Sequence, residues 1–318
     1  MPKITKQQQR RIVENKIRES KRDDLIAAIV IAHFGYEVLV EVARGDAWQQ
    51  ISCDWRQNLG EISVGDRVQI AMQGEKAVIE HIAARPKNTL YKRQARKNKA
   101  IASNVEQVLI VACIEPACQF NLIDRYLIAA EIAGIHAAIV ANKSDIGMLD
   151  LSVYQSFPIF HCSTLNGAGI KDISEFCRDK ETLICGQSGV GKSSLISALI
   201  PNLAIQIQEI SATTKLGKHT TTNCRRYHLP EGGTIIDTPG VRGYSFPDNT
   251  EKDAVIQAMH KVFPDIFAAI AHCRFSDCTH QTEPHCAVKQ AIANGTITAS
   301  RWESFQSIKQ AIEDKKFT

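Results

Sequence analysis

The stretch LICGQSGVGKSSL at residues 183–195 constrains the fold of this chain more than any other. A short apolar run, typical of a buried strand, leads into the pattern G-x-x-x-x-G-K-S, and an amphipathic segment ended by Pro201 follows. Glycines allow backbone N–H groups to converge on a phosphate, and a helix N-terminus adds partial positive charge. The stretch therefore predicts a strand, a phosphate-binding loop and a helix, with candidate nucleotide contacts at Gly186, Gln187, Ser188, Gly189, Val190, Gly191, Lys192, Ser193 and Ser194.

Two side chains of this loop have separate predicted roles. Lys192 would bridge the β- and γ-phosphates of a nucleoside triphosphate, and the Ser193 hydroxyl would bind Mg²⁺. The alternative is a glycine-rich turn that only joins a strand to a helix. The complete motif between a strand and a helix argues against that alternative.

A guanine-reading motif, N-K-x-D, lies upstream of the phosphate-binding loop. It follows a predicted strand at 137–141 and consists of Asn142, Lys143, Ser144 and Asp145. An Asp carboxylate accepts hydrogen bonds from the ring N–H and the exocyclic amine of guanine, a donor pair that adenine lacks. The Asn would order the loop, and the Lys stem would cover the ring. The alternative is an ordinary polar loop in which the Asp caps a helix.

A second guanine loop is predicted where the strand at 157–162 ends. Ser163 begins the sequence STLNGAG, which is similar to the pattern S-A-x-x-G-x-G. Thr164 replaces the usual Ala, so we expect the backbone contact to guanine to be kept while the packing differs.

Two more motifs follow the phosphate-binding loop. The segment GKHTTT offers a Thr that would bind Mg²⁺ beside the γ-phosphate, with Thr221 preferred and Thr220 or Thr222 as alternatives. A strand predicted at 233–236 then ends in D-T-P-G, where Asp237 would lie in the second shell of Mg²⁺ and the Gly240 N–H near the γ-phosphate. Taken alone, D-T-P-G could be a plain turn.

The order of the motifs is unusual. An ordinary GTPase has the phosphate-binding loop first and the guanine loops last, whereas this chain has the guanine loops first. Chain ends often lie close together in compact domains, so such a permutation is sterically easy. The sequence thus predicts a multidomain α/β protein with a circularly permuted P-loop GTPase domain at 86–248.

The N-terminal part has a different pattern. Five short β-rich segments between 25 and 82, separated by turn signals, predict an OB-fold β-barrel at 25–85 that binds RNA. Trp48 and Trp55 would belong to its core or would stack on bases. Residues 1–22 carry eight Lys and Arg against two Glu, and 85–99 carry seven with no acid. Such runs suit a polyanion or are merely solvated; we interpret 1–24 as a basic tail.

The C-terminal part contains a predicted metal site. Three thiolates and an imidazole, at Cys273, Cys278, His280 and Cys286, would complete a tetrahedral zinc shell. His272 and His285 are possible substitute ligands, and passively packed reduced cysteines are the alternative interpretation. With helices expected at 253–263, 287–293 and 301–313, this indicates a helical zinc-binding domain at 249–318, held by one structural zinc.

At this point the chain resembles the RsgA/YjeQ family of circularly permuted bacterial GTPases over nearly its whole length. The motifs that carry the resemblance are GQSGVGKSSL, NKSD, GKHTTT, DTPGVR and C-x4-C-x-H-x5-C. The resemblance implies a factor in late maturation of the 30S ribosomal subunit that binds 16S rRNA. It also implies GTP hydrolysis, with Mg²⁺, that is faster on the subunit.

Catalysis needs a further residue, because Val241 stands where many GTPases have the Gln that orients the attacking water. His219 is the best substitute by position, and the resemblance points to it as well; otherwise it is a surface loop residue. A scaffold that uses GTP only as an occupancy switch is the competing function. No feature of the sequence supports a GTPase that acts on tRNA or in protein targeting.

Composition sets the remaining expectations. The net charge is +4, no run of eighteen apolar residues occurs, and the polar N-terminus lacks the apolar core of a secretory signal. We therefore expect a cytoplasmic protein that has no membrane partner, and we expect a monomer.

Overall fold

The computed structural model describes residues 25–34, 37–45, 47–56, 59–74, 76–94, 97–203, 224–238, 244–247 and 250–314. The predicted basic tail at 1–24 lies outside these residues. So do the predicted site residues His219, Thr220, Thr221, Thr222, Gly240 and Val241.

The N-terminal domain is a closed five-stranded barrel. Its strands are β1 (Ile26–Phe34), β2 (Glu37–Arg44), β3 (Ala47–Trp55), β4 (Arg67–Gln73) and β5 (Lys76–Ile82). They pair in the order β1-β2-β3-β5-β4, and β4 returns to β1; β3 and β5 are parallel and the other pairs antiparallel. The predicted OB-type barrel is confirmed.

The two tryptophans differ. Trp55 packs partly buried against the barrel core and meets His33 edge to face at 5.0 Å. Trp48 is 47% exposed and stacks on the His228 ring at 5.3 Å between ring centroids. The core interpretation therefore suits Trp55, whereas Trp48 lies on the outside of the barrel.

The basic run at 85–99 is not simply a loop. Strands β6 (Leu90–Gln94) and β7 (Lys97–Ala102) form a separate antiparallel hairpin. The Asn98 side chain donates to Phe246 O at 2.9 Å and accepts from Ser245 Oγ at 2.8 Å. These contacts are distant in the sequence, and the two strands are rich in charged residues. The sequence therefore did not predict the hairpin.

A mainly parallel sheet carries the predicted loops. It contains β8 (Gln107–Ala112), β9 (His136–Ala141), β10 (Ile159–His161), β11 (Glu181–Gly186), β12 (Arg225–His228) and β13 (Thr234–Asp237), in the order β10-β9-β8-β11-β13-β12. All are parallel except β12, which runs antiparallel to β13. The phosphate-loop strand β11 thus enters the middle of a sheet whose neighbours come from both sides of it in the chain, as the permuted motif order predicts.

Helices cover both faces of this sheet. Helix α1 (Phe120–Ala133) packs on one face and ends at Gly134, whose φ of 68° is the left-handed conformation of a helix stop. Helices α2 (Ile170–Cys177) and α3 (Lys192–Leu199) lie on the other face. β8 is buried along its entire length, which explains its unbroken apolar run.

Between residues 250 and 314 the C-terminal part contains four helices: α4 (Lys252–Val262), α5 (Pro264–Ala271), α6 (Ala287–Ala293) and α7 (Ala299–Glu313). Helix α5 was not predicted; Pro264, at its first turn, ends the helix before it. The Thr298 hydroxyl caps α7 by accepting from Arg301 N at 3.2 Å. No single helix among the described residues is long and apolar enough to cross a membrane; α4 and α5 together, bent by 100°, meet that criterion of length and composition.

A buried ion cluster fixes the C-terminal helices on α1. Arg301 donates to Asp124 Oδ1 at 2.8 Å and pairs with Asp265 at 3.1 Å. Ser304 and Tyr154 donate to the same Asp124 carboxylate, which is fully buried. Both oxygens of that carboxylate therefore have partners, as burial of a charge requires.

Candidate nucleotide site and metal centre

The predicted nucleotide loops meet at one edge of the parallel sheet. They follow β9, β10, β11 and β13, whose carboxyl ends all lie at this edge, with β8 between β9 and β11. In open α/β sheets, ligands bind at this edge.

The glycines of the phosphate-binding loop are required by close approaches. Gly186 has a φ of 140°, and a Cβ there would lie 2.2 Å from Val111 O on the neighbouring strand. Gly191, with a φ of 92°, precedes α3, and its Cβ would lie 2.3 Å from Asn142 Nδ2. Larger residues would push the loop away from β8 and from the guanine motif.

Lys192 folds back across this loop. Its Nζ donates to Gly186 O and to Gln187 O, each at 2.8 Å. Burial lowers the pKa of this lysine, while the nearby Asp237 carboxylate opposes that shift. The hydrogen-bond acceptors of the Lys192 ammonium are neutral carbonyl oxygens. A bound phosphate group would give it a negatively charged partner in direct contact. Ser193 and Ser194 lie on the first turn of α3, and both are exposed.

Asp237 lies at the end of β13, next to this lysine. Burial raises the pKa of its carboxyl, and the Lys192 ammonium and the Thr238 N–H counteract the rise. The Thr238 hydroxyl donates to Ile184 O on β11 at 2.9 Å. This bond holds the start of the D-T-P-G loop against the strand that leads into the phosphate-binding loop.

Asn142 joins three loops. It is buried, and its Nδ2 donates to Val190 O at 2.9 Å in the phosphate-binding loop. Its Oδ1 accepts from Thr164 N at 3.4 Å in the second guanine loop. Its side chain therefore links the N-K-x-D loop to both of the other loops.

The two guanine loops contact each other through Asp145 and Ser163. The Ser163 hydroxyl, itself buried, donates to the exposed Asp145 carboxylate. Lys143 has a φ of 61°, and its Nζ donates to Glu115 O at 2.8 Å. The loop after β8, which contains Glu115, was not predicted to border this site, since it carries no recognisable motif.

The predicted metal ligands also come together. Among the described residues, the four ligand atoms of Cys273, Cys278, His280 and Cys286 lie within 4.8 Å of one another. His280 Nδ1 is 3.5 Å from Cys273 Sγ and 3.4 Å from Cys286 Sγ, and those two sulfurs are 3.9 Å apart. A tetrahedral Zn²⁺ separates sulfur and nitrogen ligands by about 3.5–3.8 Å, so the donor set and its spacing fit zinc.

His280, and neither His272 nor His285, belongs to this cluster. Burial lowers the pKa of His280, which favours the neutral imidazole that a metal binds. Its ring meets Trp302 of α7 edge to face at 5.7 Å. Cys286 immediately precedes α6, so the cluster connects α5, α6 and α7.

The fold and the site together define a circularly permuted GTPase. The RsgA GTPase family model matches residues 83–247. The small ribosomal subunit biogenesis GTPase RsgA of Dichelobacter nodosus is 40% identical over 97% of this chain and 98% of its own length. The corresponding protein of Chromohalobacter salexigens is 38% identical over 88% of this chain and 84% of its own.

Solved structures agree. The crystal structure of YjeQ from Thermotoga maritima has a TM-score of 0.57 and 29% identity, and covers 89% of this chain and 96% of its own. The circularly permuted GTPase YloQ has a TM-score of 0.56 and 25% identity, covering 92% and 96%. The chain belongs to the RsgA GTPase family and is a GTP hydrolase.

Proposed function

We propose that this GTPase assists late maturation of the 30S ribosomal subunit, binds its 16S rRNA, and hydrolyses GTP to GDP and phosphate faster when it is docked there. The names of the relatives support the assignment to the small subunit. The observation that carries the enzymatic part is the meeting of Lys192, Asp237 and Asn142 at one sheet edge.

The nucleotide contacts are assigned by chemistry. The carboxylate of Asp145 reads guanine, with Asn142, Lys143, Ser144 and Ser163 shaping its loop. Backbone N–H groups of 186–194 and the Lys192 ammonium hold the phosphates. The Gly240 N–H completes the γ-phosphate site.

Magnesium would be held between two loops. The hydroxyl groups of Ser193 and of Thr221 (or Thr220 or Thr222) would bind it, and the Asp237 carboxylate would interact with it through water. Burial raises the pKa of Asp237 because it disfavours the charged carboxylate. A divalent cation beside it would stabilise that charge. When bound, Mg²⁺ neutralises charge on the transferred phosphoryl group.

Zinc has a structural role in this proposal. Four protein ligands would leave no open position for a water, and the ion would tie the segment between α5 and α6 together beside Trp302 of α7. The domain limits 25–85, 86–248 and 249–318, cytoplasmic localisation and a monomeric state are part of the same proposal.

We assign the contacts with RNA to the barrel, the tail at 1–24 and the hairpin β6–β7. Lys92 and Lys99 face each other directly across the hairpin. Like charges at such positions disfavour a hairpin unless a polyanion neutralises them. This supports rRNA phosphates as the partner.

We assign the orientation of the attacking water to His219, because the side chain of Val241 cannot hydrogen-bond to water. The deciding experiment is GTP turnover of the full chain with added 30S subunits, 50S subunits or free RNA. Stimulation by 30S subunits alone supports the proposal. Slow turnover that no addition changes would instead make the protein a GTP-dependent scaffold.

A further inference from the structure

The barrel and the nucleotide sheet are one continuous structure. Barrel strand β1 pairs with β12 at Ala32 and Arg225. On the other side of β12, the same Arg225 is the register partner of Asp237 on β13. One residue of β12 therefore stands between the barrel and the carboxylate assigned to the magnesium site.

A buried acid of the barrel holds the side chains of β12. Glu41 is 2% exposed and points out of the barrel, on the same face of β2 as Leu39, which packs into the nucleotide domain. Its Oε2 accepts from Arg226 Nη1 at 3.0 Å and from His228 Nε2 at 2.8 Å. These two partners are on β12, and Gln50 Nε2 on β3 donates to Glu41 Oε1 at 3.4 Å.

Arg226 has a second carboxylate partner. Its Nε donates to Glu181 Oε1 at 2.8 Å, and its Nη2 to Glu181 Oε2 at 3.1 Å. The guanidinium thus lies between the barrel and β11, the strand of the phosphate-binding loop. Loss of the Glu41 charge would leave Arg226 paired with Glu181, so it would weaken the hold of the barrel on β12 without leaving an unpaired buried cation.

The position of β12 matters because it is the outer strand of the nucleotide sheet. On one side it is bonded to β13 along the entire four-residue strand that ends in Asp237. On the other side the described contacts include the Ala32 pairing and the Glu41 hydrogen bonds. A shift of β12 is passed to β13 through its ladder, and small displacements of groups at a reacting centre are costly.

From this we infer that Glu41 is a positioning residue for GTP hydrolysis: the barrel holds β12 through its carboxylate, and β12 holds Asp237 in place for Mg²⁺. The inference rests on the proposed role of Asp237. It gives the barrel a part in hydrolysis besides contact with RNA.

The test compares Glu41→Gln with Glu37→Gln in the full chain. Glu37 is on the same strand and the same face, but its carboxylate accepts from Ser52 Oγ on the neighbouring barrel strand β3. We expect Glu41→Gln to lower kcat for GTP by about 10-fold and to raise the Mg²⁺ concentration for half-maximal rate, with GDP affinity in EDTA unchanged. Glu37→Gln should leave all three unchanged.

A double variant separates positioning from general destabilisation. Glu41→Gln and Arg226→Met remove opposite sides of one contact, and Arg226→Met also removes the Glu181 bonds. The kcat loss of the double variant should therefore be smaller than the product of the two single losses. Losses that multiply, an unchanged kcat and Mg²⁺ midpoint in Glu41→Gln, or an equal loss in Glu37→Gln would overturn the inference. If Glu41→Gln does not fold, Glu41→Asp, which keeps the charge on a shorter side chain, takes its place in the same comparison.

The wild-type measurement keeps the two proposals apart. Wild-type protein without magnesium-dependent GTP hydrolysis would contradict the proposed function, and this inference with it. Normal wild-type hydrolysis with unaffected Glu41→Gln contradicts the inference alone.

Discussion

The Tyr244 hydroxyl donates a hydrogen bond to Thr238 Oγ1 at 3.1 Å, and Thr238 is the second residue of the D-T-P-G motif. The direction follows because the Thr238 proton is already given to Ile184 O. Tyr244 is fully buried and packs on Tyr126 at 5.0 Å. The bond therefore ties Tyr244 to Thr238 and, through Ile184 O, to the strand that leads into the phosphate-binding loop.

Removal of this hydroxyl should affect hydrolysis more than binding. We expect Tyr244→Phe to lose about 1 kcal/mol of stability, the usual contribution of a buried hydrogen bond, and to lower basal kcat several-fold with unchanged GDP affinity. The control is Tyr154→Phe, whose hydroxyl donates to Asp124 on α1 at 2.8 Å, outside the nucleotide loops. It should lose stability and keep kcat; an equal kcat loss in both variants would argue against a specific role for Tyr244.

Base choice should depend on Asp145. Replacement by Asn exchanges one acceptor for a donor that faces the amine of guanine, so Asp145→Asn should weaken GTP binding and favour xanthine nucleotides. Titration of GTP, XTP and ATP into both proteins measures this. Equal affinity of the wild type for ATP and GTP would refute the guanine assignment.

Zinc should be necessary for the C-terminal part but not for nucleotide binding. Cys278→Ser should lose the one zinc per chain expected in the wild type, together with the local folding around α5 and α6. The nucleotide domain has its own core between α2, α3 and the sheet, so GTP affinity should persist. Metal analysis with parallel GTP titrations checks both parts, and zinc-free wild-type protein would contradict the site.

The local motifs were predictable because their chemistry is contiguous. Gly186, Gly191 and Lys192 carry their loop conformation in the sequence itself, and the metal ligands lie within fourteen residues of one another. Strand β12 and the hairpin β6–β7 were not predicted, since they are short, charged and held by distant partners.

Side-chain roles that arise from distant contacts were equally hidden. Glu41 has the pattern of a solvated residue of a barrel strand until Arg226 and His228 are placed against it. The hydrogen bonds of Tyr244 with Thr238 and of Thr238 with Ile184 O also join residues whose sequence context does not reveal the contact. Sequence patterns report local periodicity, and such buried polar contacts between separate elements leave no trace in it.

Binding to the ribosome should depend on charge. Lys92→Gln with Lys99→Gln should weaken docking to 30S subunits and reduce the slope of log affinity against log salt by about 2, because each lysine would neutralise one phosphate. GTP affinity should not change. Binding measured across a salt series tests this, and docking of the wild type that is independent of salt would contradict phosphate recognition.

The water-orienting role of His219 can be separated from binding. An imidazole can hydrogen-bond to the attacking water, and the valine at 241 cannot. His219→Ala should bind GTP and dock on 30S subunits normally yet lose stimulated turnover by about 10²-fold, the scale of a positioned general acid or base. Val241→Ala, the matched control, should change turnover little. Single-turnover hydrolysis on saturating 30S subunits is the measurement. If His219→Ala keeps the stimulated rate, the backbone or the ribosome itself must hold the water.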